Sequence, residues 1–350
     1  MSGATLTLDG VAKRWPNGDT ALADVSLAIP AGTTLAVLGS SGAGKSTLLR
    51  LIAGLEQPDA GTIRLGEREI VGPAGRLSPE QRGVGMVFQA LELWPHLTVA
   101  EHIAFGLPGR PRGRKARSHP DVIRLAKDVG LDESLLARRP DTLSGGEQQR
   151  VAIARTLAPK PGVILYDEPL ANLDPERRAI IRALIRRLAR EHGTTLVYVT
   201  HDPQEALELG DAVAVFADGR LVEHGTPTDV YARPSSILAA RALGPVTAVP
   251  GEVTSGTATT ALGSFPTDLA DGPCMALWRP EALAVDPEGT HRIQVEDVVA
   301  RGRDYAVHAT CDGTTVQAVS AEPVAAGIDT SLRVGSPAAV LAADAVKETR

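Results

Sequence analysis

The run Gly39-Ser40-Ser41-Gly42-Ala43-Gly44-Lys45-Ser46-Thr47 constrains this chain more than any other feature. It follows a continuously apolar stretch, Thr33 to Leu38, that reads as a buried strand. A helix-forming run, Ser46 to Ala53, comes directly after it. Strand, glycine-rich turn and helix in that order make a phosphate-binding loop. The glycines let the backbone curl so that successive N–H groups point at phosphate oxygens. The helix adds about half a positive charge at its N-terminus. In such a loop Lys45 reaches the β- and γ-phosphates, and the Ser46 hydroxyl ligates Mg²⁺. A chance glycine-rich turn would need neither flanking element.

A strand that feeds such a loop needs parallel neighbours, and the sequence offers them. Val163 to Tyr166 (VILY) and Thr195 to Val199 (TLVYV) are short, continuously apolar runs, as expected of parallel strands covered on both faces. Between them Glu176 to Arg190 is amphipathic, with Ile180, Ile181, Leu184, Ile185 and Leu188 at helical spacing. The order argues for an α/β domain with a parallel sheet. Ala212 to Val222 reads as a hairpin turning at Asp218-Gly219. Near Pro234 the texture changes. From Val246 onward short alternating runs such as CMALW and RIQVEDVV are punctuated by Gly and Pro, with a further turn at Asp312-Gly313. The reading is an α/β domain over residues 1–238 and a small all-β domain over 246–345, divided around Ala239 to Pro245. There is no internal repeat.

Composition narrows the role. A chain of 350 residues with 43% hydrophobic content suffices for two cores. The net charge of −6 argues against a dedicated nucleic-acid binder. The basic run Pro108 to Arg117 (PGRPRGRKAR) lacks interleaved aromatics and reads as a solvated loop. Cys274 and Cys311 are the only cysteines and are expected to be reduced thiols. The first residues, MSGATLTLDG, carry no basic start followed by an apolar run. No stretch approaches the roughly 20 apolar residues of a membrane helix, so any transport must use a partner's pore.

Two further strings carry chemistry. In VILYDE the apolar strand delivers Asp167 to its polar end, where it can hold Mg²⁺, and Glu168 follows, able to orient and deprotonate an attacking water. Two adjacent carboxylates could otherwise be surface charge, but a phosphate loop precedes them in the same sheet. In Leu143-Ser144-Gly145-Gly146-Glu147-Gln148-Gln149-Arg150, Ser144 and Glu147 have capping-box spacing, so a helix should start there and offer a second anion site. One nucleotide does not need two such sites from one chain. The economical reading is that this loop closes on a γ-phosphate held by another subunit; a capped helix without a ligand is the alternative.

With these strings in order, the first two-thirds of the chain resembles the ABC transporter ATPases. The match takes in the phosphate loop, Gln89 in VFQ, the LSGGEQQR signature, YDEP, Ala171-Asn172-Leu173-Asp174, and His201 in VTHD. The resemblance implies a P-loop NTPase cassette with a helical subdomain over about residues 90–160. It further implies that Gln89 senses Mg²⁺ and the attacking water and links the site to the membrane partner, that His201 contacts the γ-phosphate, and that Asp174 lies in the loop crossing a dimer interface. On its own residues His201 reads equally well as a buried histidine at a strand end. Trp15 stands where the family carries an aromatic ring that stacks on adenine; an ordinary partly buried Trp is the alternative. Leu93 to Val99 (LWPHLTV) should help form the groove that receives a coupling helix.

The C-terminal part resembles the transport-associated OB-like domain of importer ATPases, through Trp278-Arg279-Pro280-Glu281. The two resemblances together imply the ATP-hydrolysing subunit of an importer of the maltose, polyamine and ferric-ion group. It would act as a homodimer on the cytoplasmic face of the plasma (inner) membrane, with two transmembrane permease subunits, an extracytoplasmic substrate-binding protein and no nucleic acid. Cargo stays open among ferric ion, polyamine, quaternary amine, sugar and small anion. A soluble ABC ATPase is the rival. Relatives acting on ribosomes usually carry two cassettes, and DNA-repair types carry a long coiled coil between phosphate loop and signature, where only about a hundred residues without sustained heptads occur here. An exporter subunit is a second rival, disfavoured by the β domain.

Overall fold

The computed structural model describes residues 3–73, 75–171 and 173–342. Asn172 and the last residues of the β domain, 343–345, therefore lie outside the described residues. The chain forms two compact units, Met1–Pro227 and Thr228–Arg350.

The first unit is built on a six-stranded sheet. Its order is Arg220–Gly225, Ala212–Ala217, Thr34–Gly39, Thr195–Val199, Val163–Asp167 and Val84–Val87. All neighbours run parallel except the hairpin Ala212–Ala217 with Arg220–Gly225. That hairpin turns at Asp218 and Gly219, both at positive φ, as the Asp-Gly pair requires. The inner strands Thr34–Gly39, Thr195–Val199 and Val163–Asp167 are buried at every position, which is why they read as unbroken apolar runs.

A second sheet was not legible from the sequence. It is antiparallel, in the order Thr20–Ile29, Leu6–Arg14, Ala60–Leu65, Arg68–Gly72, Gly75–Arg76. Its alternation is broken by register shifts, for instance between Leu8 and Val11, where Gly10 turns to positive φ. The helix Lys45–Ala53 touches strands of both sheets, and its Leu48, Leu49, Leu51 and Ile52 share one apolar core with Leu6, Val11, Ile63, Val37 and Val197. Each such side chain contributes about 2 kcal/mol on burial.

Between Val84–Val87 and Val163–Asp167 the chain inserts the helices Val99–Ala104, Gly113–Arg117, Pro120–Asp128 and Gly145–Leu157, packed in one core. The basic run is thus not wholly a loop: Gly113–Arg117 makes a helical turn that buries Ala116. In the helix Pro175–His192 the buried stripe is Ile181, Leu184, Ile185, Leu188 and Ala189. Ile180 is 48% exposed, because it stands about 100° around the helix from Ile181, at the edge of that stripe.

The second unit is β-rich. One sheet has the order Gly263–Pro266, Thr257–Thr260, Thr247–Thr254, Gly272–Trp278, Ala339–Ala342. A closed barrel is formed by Leu283–Val285, Thr314–Ser320, Tyr305–Cys311, His291–Ala300 and Asp329–Val334. Five strands closed on themselves make an OB-like architecture. Trp278 is fully buried and its Nε1 donates to Gly335 O at 2.9 Å. Cys274 and Cys311 are both buried and free. The compact unit starts at Thr228, a little before the change of texture near Pro234 and ahead of the boundary expected around Ala239 to Pro245. Its helix Ile237–Ala242 packs on Leu277 and Leu341. The buried Arg279 donates to Tyr231 O and Ala240 O at 3.2 and 2.8 Å, holding residues before the boundary to the strands after it.

Candidate active site

Four segments meet along the carboxyl edge of the parallel sheet, because each follows one of four adjacent strands. They are the phosphate loop after Thr34–Gly39, His201 after Thr195–Val199, Asp167 and Glu168 at the end of Val163–Asp167, and Gln89 after Val84–Val87. Carboxyl ends of parallel strands are where such sheets bind ligands.

The phosphate loop needs its glycines for packing as well as for curvature. Gly44 is left-handed at φ 94°, and a Cβ there would collide with Ala21 O and come within 2.8 Å of Leu22 Cδ2. A Cβ on Gly39 would meet Phe216 O. Lys45 is 6% exposed and its Nζ donates to Gly39 O at 2.6 Å and Ser40 O at 2.8 Å. Burial lowers its pKa, opposed by the charges of Glu168 and Asp167. Ser40 and Ser41 are exposed, Gly42 is at positive φ, Ala43 is buried with its N–H donating to Ser40 O at 3.2 Å, and Thr47 lies in the first turn of the helix.

Ser46 Oγ donates to Asp167 Oδ1 at 3.0 Å, tying the loop to the neighbouring carboxylate. Burial raises the Asp167 pKa, while the Ser46 hydrogen bond lowers it. Glu168 has φ 45°, unusual for a residue with a Cβ, and its N–H is fixed to Val199 O at 3.1 Å. Its Oε2 lies 3.0 Å from His201 Nδ1. The His201 side chain is 60% exposed, so it is not the buried strand-end histidine that its sequence context also allowed. Gln89 is exposed in a turn closed by Leu91 N donating to Phe88 O at 3.0 Å.

The signature forms the expected capping box. Ser144 N and Oγ donate to Glu147 Oε2 at 2.7 and 2.8 Å, and Glu147 N returns to Ser144 Oγ at 3.4 Å. Asp174 caps the helix Pro175–His192 by accepting from Arg177 N. Trp15 is half-buried in the turn between Leu6–Arg14 and Thr20–Ile29, with Lys13 Nζ 5.4 Å from its ring centroid. Trp94 packs its ring on Phe105 and stacks on His102, centroids 4.6 and 5.7 Å away, beside a cavity of about 960 Å³ lined by Phe88, Glu92, Trp94, Phe105, Arg155 and Lys160.

Sequence reading missed the groups that hold these loops. Arg82 Nη1 donates to Leu51 O and Ile52 O at the end of the phosphate-loop helix. Arg178 donates to Leu173 O and Ala171 O, beside Asp174. Glu205, 4% exposed, accepts from Tyr198 OH and Thr200 Oγ1, next to His201. The one available signal was a charge inside an apolar context, which needs acceptors or donors that a sequence does not locate.

The strand order, the central phosphate loop and the inserted helices define the class: a P-loop nucleoside triphosphatase of the ATP-binding-cassette type. Residues 22–171 match the ABC transporter family and residues 277–345 match the TOBE domain. The chain is 42% identical over 286 residues to the Fe(3+) ions import ATP-binding protein FbpC 1 of Rhodococcus jostii (strain RHA1), covering 81% of each. It is 38% identical over 311 residues to the sn-glycerol-3-phosphate import ATP-binding protein UgpC of Jannaschia sp. (strain CCS1), covering 87% of each. It is 44% identical over 288 residues to the sulfate/thiosulfate import ATP-binding protein CysA 2 of Chromobacterium violaceum, covering 80% of this chain and 77% of that one. Among solved structures, a dimeric ATP-binding cassette in a post-hydrolysis state with ADP and Pi is similar at TM-score 0.55 and 32% identity, over 63% of this chain and 98% of that one. The chain belongs to the ATP-binding subunits of ABC importers; it binds nucleotide and hydrolyses ATP in service of uptake. No helix among the described residues is long and apolar enough to cross a membrane.

Proposed function

We propose that the subunit works as a homodimer in which each ATP is held between the Lys45 loop of one copy and Ser144 to Glu147 of the other. The observation that carries this reading is the pair Gly145 and Gly146. Neither is at positive φ, and a Cβ on them would find its nearest neighbours at 3.7 Å (Leu173 Cδ2) and 3.9 Å (Arg177 Cδ). Glycine at a helix start costs stability relative to alanine, roughly up to 1 kcal/mol. No described residue packs closer than this on either glycine, and the open surface fits a group from outside the chain.

In this reading Gly39 to Thr47 cradles the phosphates and Trp15 stacks on adenine. Mg²⁺ fits the donor set. Ser46 Oγ and Asp167 Oδ1 are hard oxygen donors 3.0 Å apart, and Mg²⁺ takes one or two protein ligands, filling the rest with phosphate and water; Gln89 would join them. When bound it neutralises phosphate charge. Lys45 supplies the fixed positive charge at the β- and γ-phosphates. Glu168 orients the attacking water and accepts its proton, and His201, 3.0 Å from Glu168, meets the γ-phosphate. Asp174 crosses to the opposing copy.

Closure of the dimer would drive two transmembrane permease subunits at the cytoplasmic face of the inner membrane, their coupling helix seated in the groove beside Trp94. An extracytoplasmic binding protein would deliver the cargo. Ferric ion is the favoured cargo, supported by relatives named for Fe(3+) import. No nucleic acid takes part.

The composite site is tested with Lys45→Ala and Gly145→Asp. Each homodimer carries a lesion in both sites and should be nearly inactive. A tagged heterodimer has one site with both lesions and one with neither, so mixing should restore ATPase activity. A verified heterodimer that neither hydrolyses ATP nor binds it at the intact site would reject the shared site.

A further inference from the structure

We infer that Arg155 is a positioning residue for Gln89, acting through the backbone that follows it. Gln89 lies in the turn Phe88 to Leu91. Leu91, which closes that turn, and Glu92 directly after it are both at positive φ, 58° and 47°. Two successive side-chain-bearing residues in that region are a backbone conformation the rest of the molecule must hold in place. Arg155 does so. Its Nη2 donates to Leu91 O at 2.7 Å and its Nη1 to Glu92 O at 2.6 Å, so one planar guanidinium brackets consecutive carbonyls. Its Cζ also lies 5.1 Å from the Trp94 ring centroid.

The origin of Arg155 gives this bracket its consequence. It is in the last turn of the helix Gly145–Leu157, whose first turn is the capped signature. One helix of 13 residues therefore carries the Ser144 cap at one end and grips the exit of the Gln89 turn at the other. A shift of the helix is passed to the Gln89 backbone through two short, charge-assisted hydrogen bonds. Lysine cannot reproduce the bracket, because an ammonium is a point donor on a flexible stem and the guanidinium is a fixed fork.

The inference rests on the role given above to Gln89, and a double-mutant cycle separates the two. Steady-state MgATP hydrolysis is measured on the full chain for Gln89→Ala, Arg155→Lys and the double variant. Misplacing a site group by a fraction of an ångström should lower kcat by about tenfold in Arg155→Lys, with KM for ATP within about twofold. Because Arg155 acts through Gln89, the double variant should be no slower than Gln89→Ala alone, within about twofold. A purely structural arginine would instead give losses that multiply. Multiplying losses, or unchanged turnover in Arg155→Lys beside a slow Gln89→Ala, would overturn the inference. Unchanged turnover in Gln89→Ala would remove the Gln89 role itself and the inference with it. Should Arg155→Lys melt below the assay temperature, Glu92→Pro tests the same link from the other side. It leaves the arginine in place at an exposed position but fixes φ at about −65°, so the backbone cannot hold the φ of 47° from which the bracketed carbonyls are presented. It should lower kcat by about threefold or more, again with no further loss on Gln89→Ala.

Discussion

Glu168 concentrates several constraints on one side chain. Its backbone is held at φ 45° by the bond to Val199 O, and its carboxylate is aimed at His201. A residue held so has its carboxylate oriented before substrate arrives, which is what a general base needs. Glu168→Gln keeps the shape and the hydrogen bond but cannot take a proton. Turnover should fall by about 10²–10⁴ while ATP still binds, and an ATP-bound dimer should accumulate on gel filtration. Turnover near that of the unsubstituted chain would take Glu168 out of the role. Asp167, the residue before it, is held differently: its carboxyl sits in a buried setting that favours the neutral acid, moderated by the Ser46 hydroxyl. Neighbouring carboxylates thus have different surroundings: Asp167 meets the Ser46 hydroxyl and Glu168 meets His201.

At the scale of elements, the phosphate-loop helix is fixed at both ends by groups outside it. Gly44 enters it in a left-handed conformation under Ala21 and Leu22. At the far end Arg82, 4% exposed, takes Leu51 O at 2.7 Å and Ile52 O at 3.0 Å while its Nε donates to Leu77 O at 3.0 Å. Removing that guanidinium leaves Leu51 O only the longer bond from Gly54 N at 3.3 Å and takes the arginine's donors from Ile52 O and Leu77 O, where an unmet carbonyl costs about 1–3 kcal/mol. Arg82→Ala should therefore cost about 2–4 kcal/mol in urea unfolding without nucleotide. A loss below about 0.5 kcal/mol, the range of ordinary surface changes, would mean the carbonyls find other donors.

Across the whole molecule, the two compact units differ in how they are held. The first is fastened by apolar layers around a sheet. The second has apolar cores of its own, and one arginine reinforces its start. Arg279 donates to Tyr231 O and Ala240 O, its Cζ lies 4.2 Å from the Tyr231 ring centroid, and Tyr231 OH donates to Glu281 Oε1 at 2.9 Å. The string Trp278-Arg279-Pro280-Glu281 is therefore a structural clamp within this unit. Arg279→Ala should lower the stability of the second unit by about 3 kcal/mol in calorimetry of the full chain. ATP affinity, a property of the first unit, should stay within about twofold. A fall in ATP affinity with no change in melting would assign the arginine to the nucleotide instead.

What the sequence determined by itself was local and ordered: the apolar strands, the glycine-rich turn, the Ser144–Glu147 cap and the Asp-Gly hairpins. These follow from periodicity, positive φ and capping, which act within a few residues of one another. Tertiary structure alone decided the rest. The antiparallel sheet escaped because bulges spoil its alternation. The start of the second unit escaped because Arg279 reaches back 48 residues to Tyr231 O. The arginines that grip the Gln89 and Asp174 loops escaped because a guanidinium chooses its carbonyls by geometry in space, and spacing along the chain carries no record of that choice.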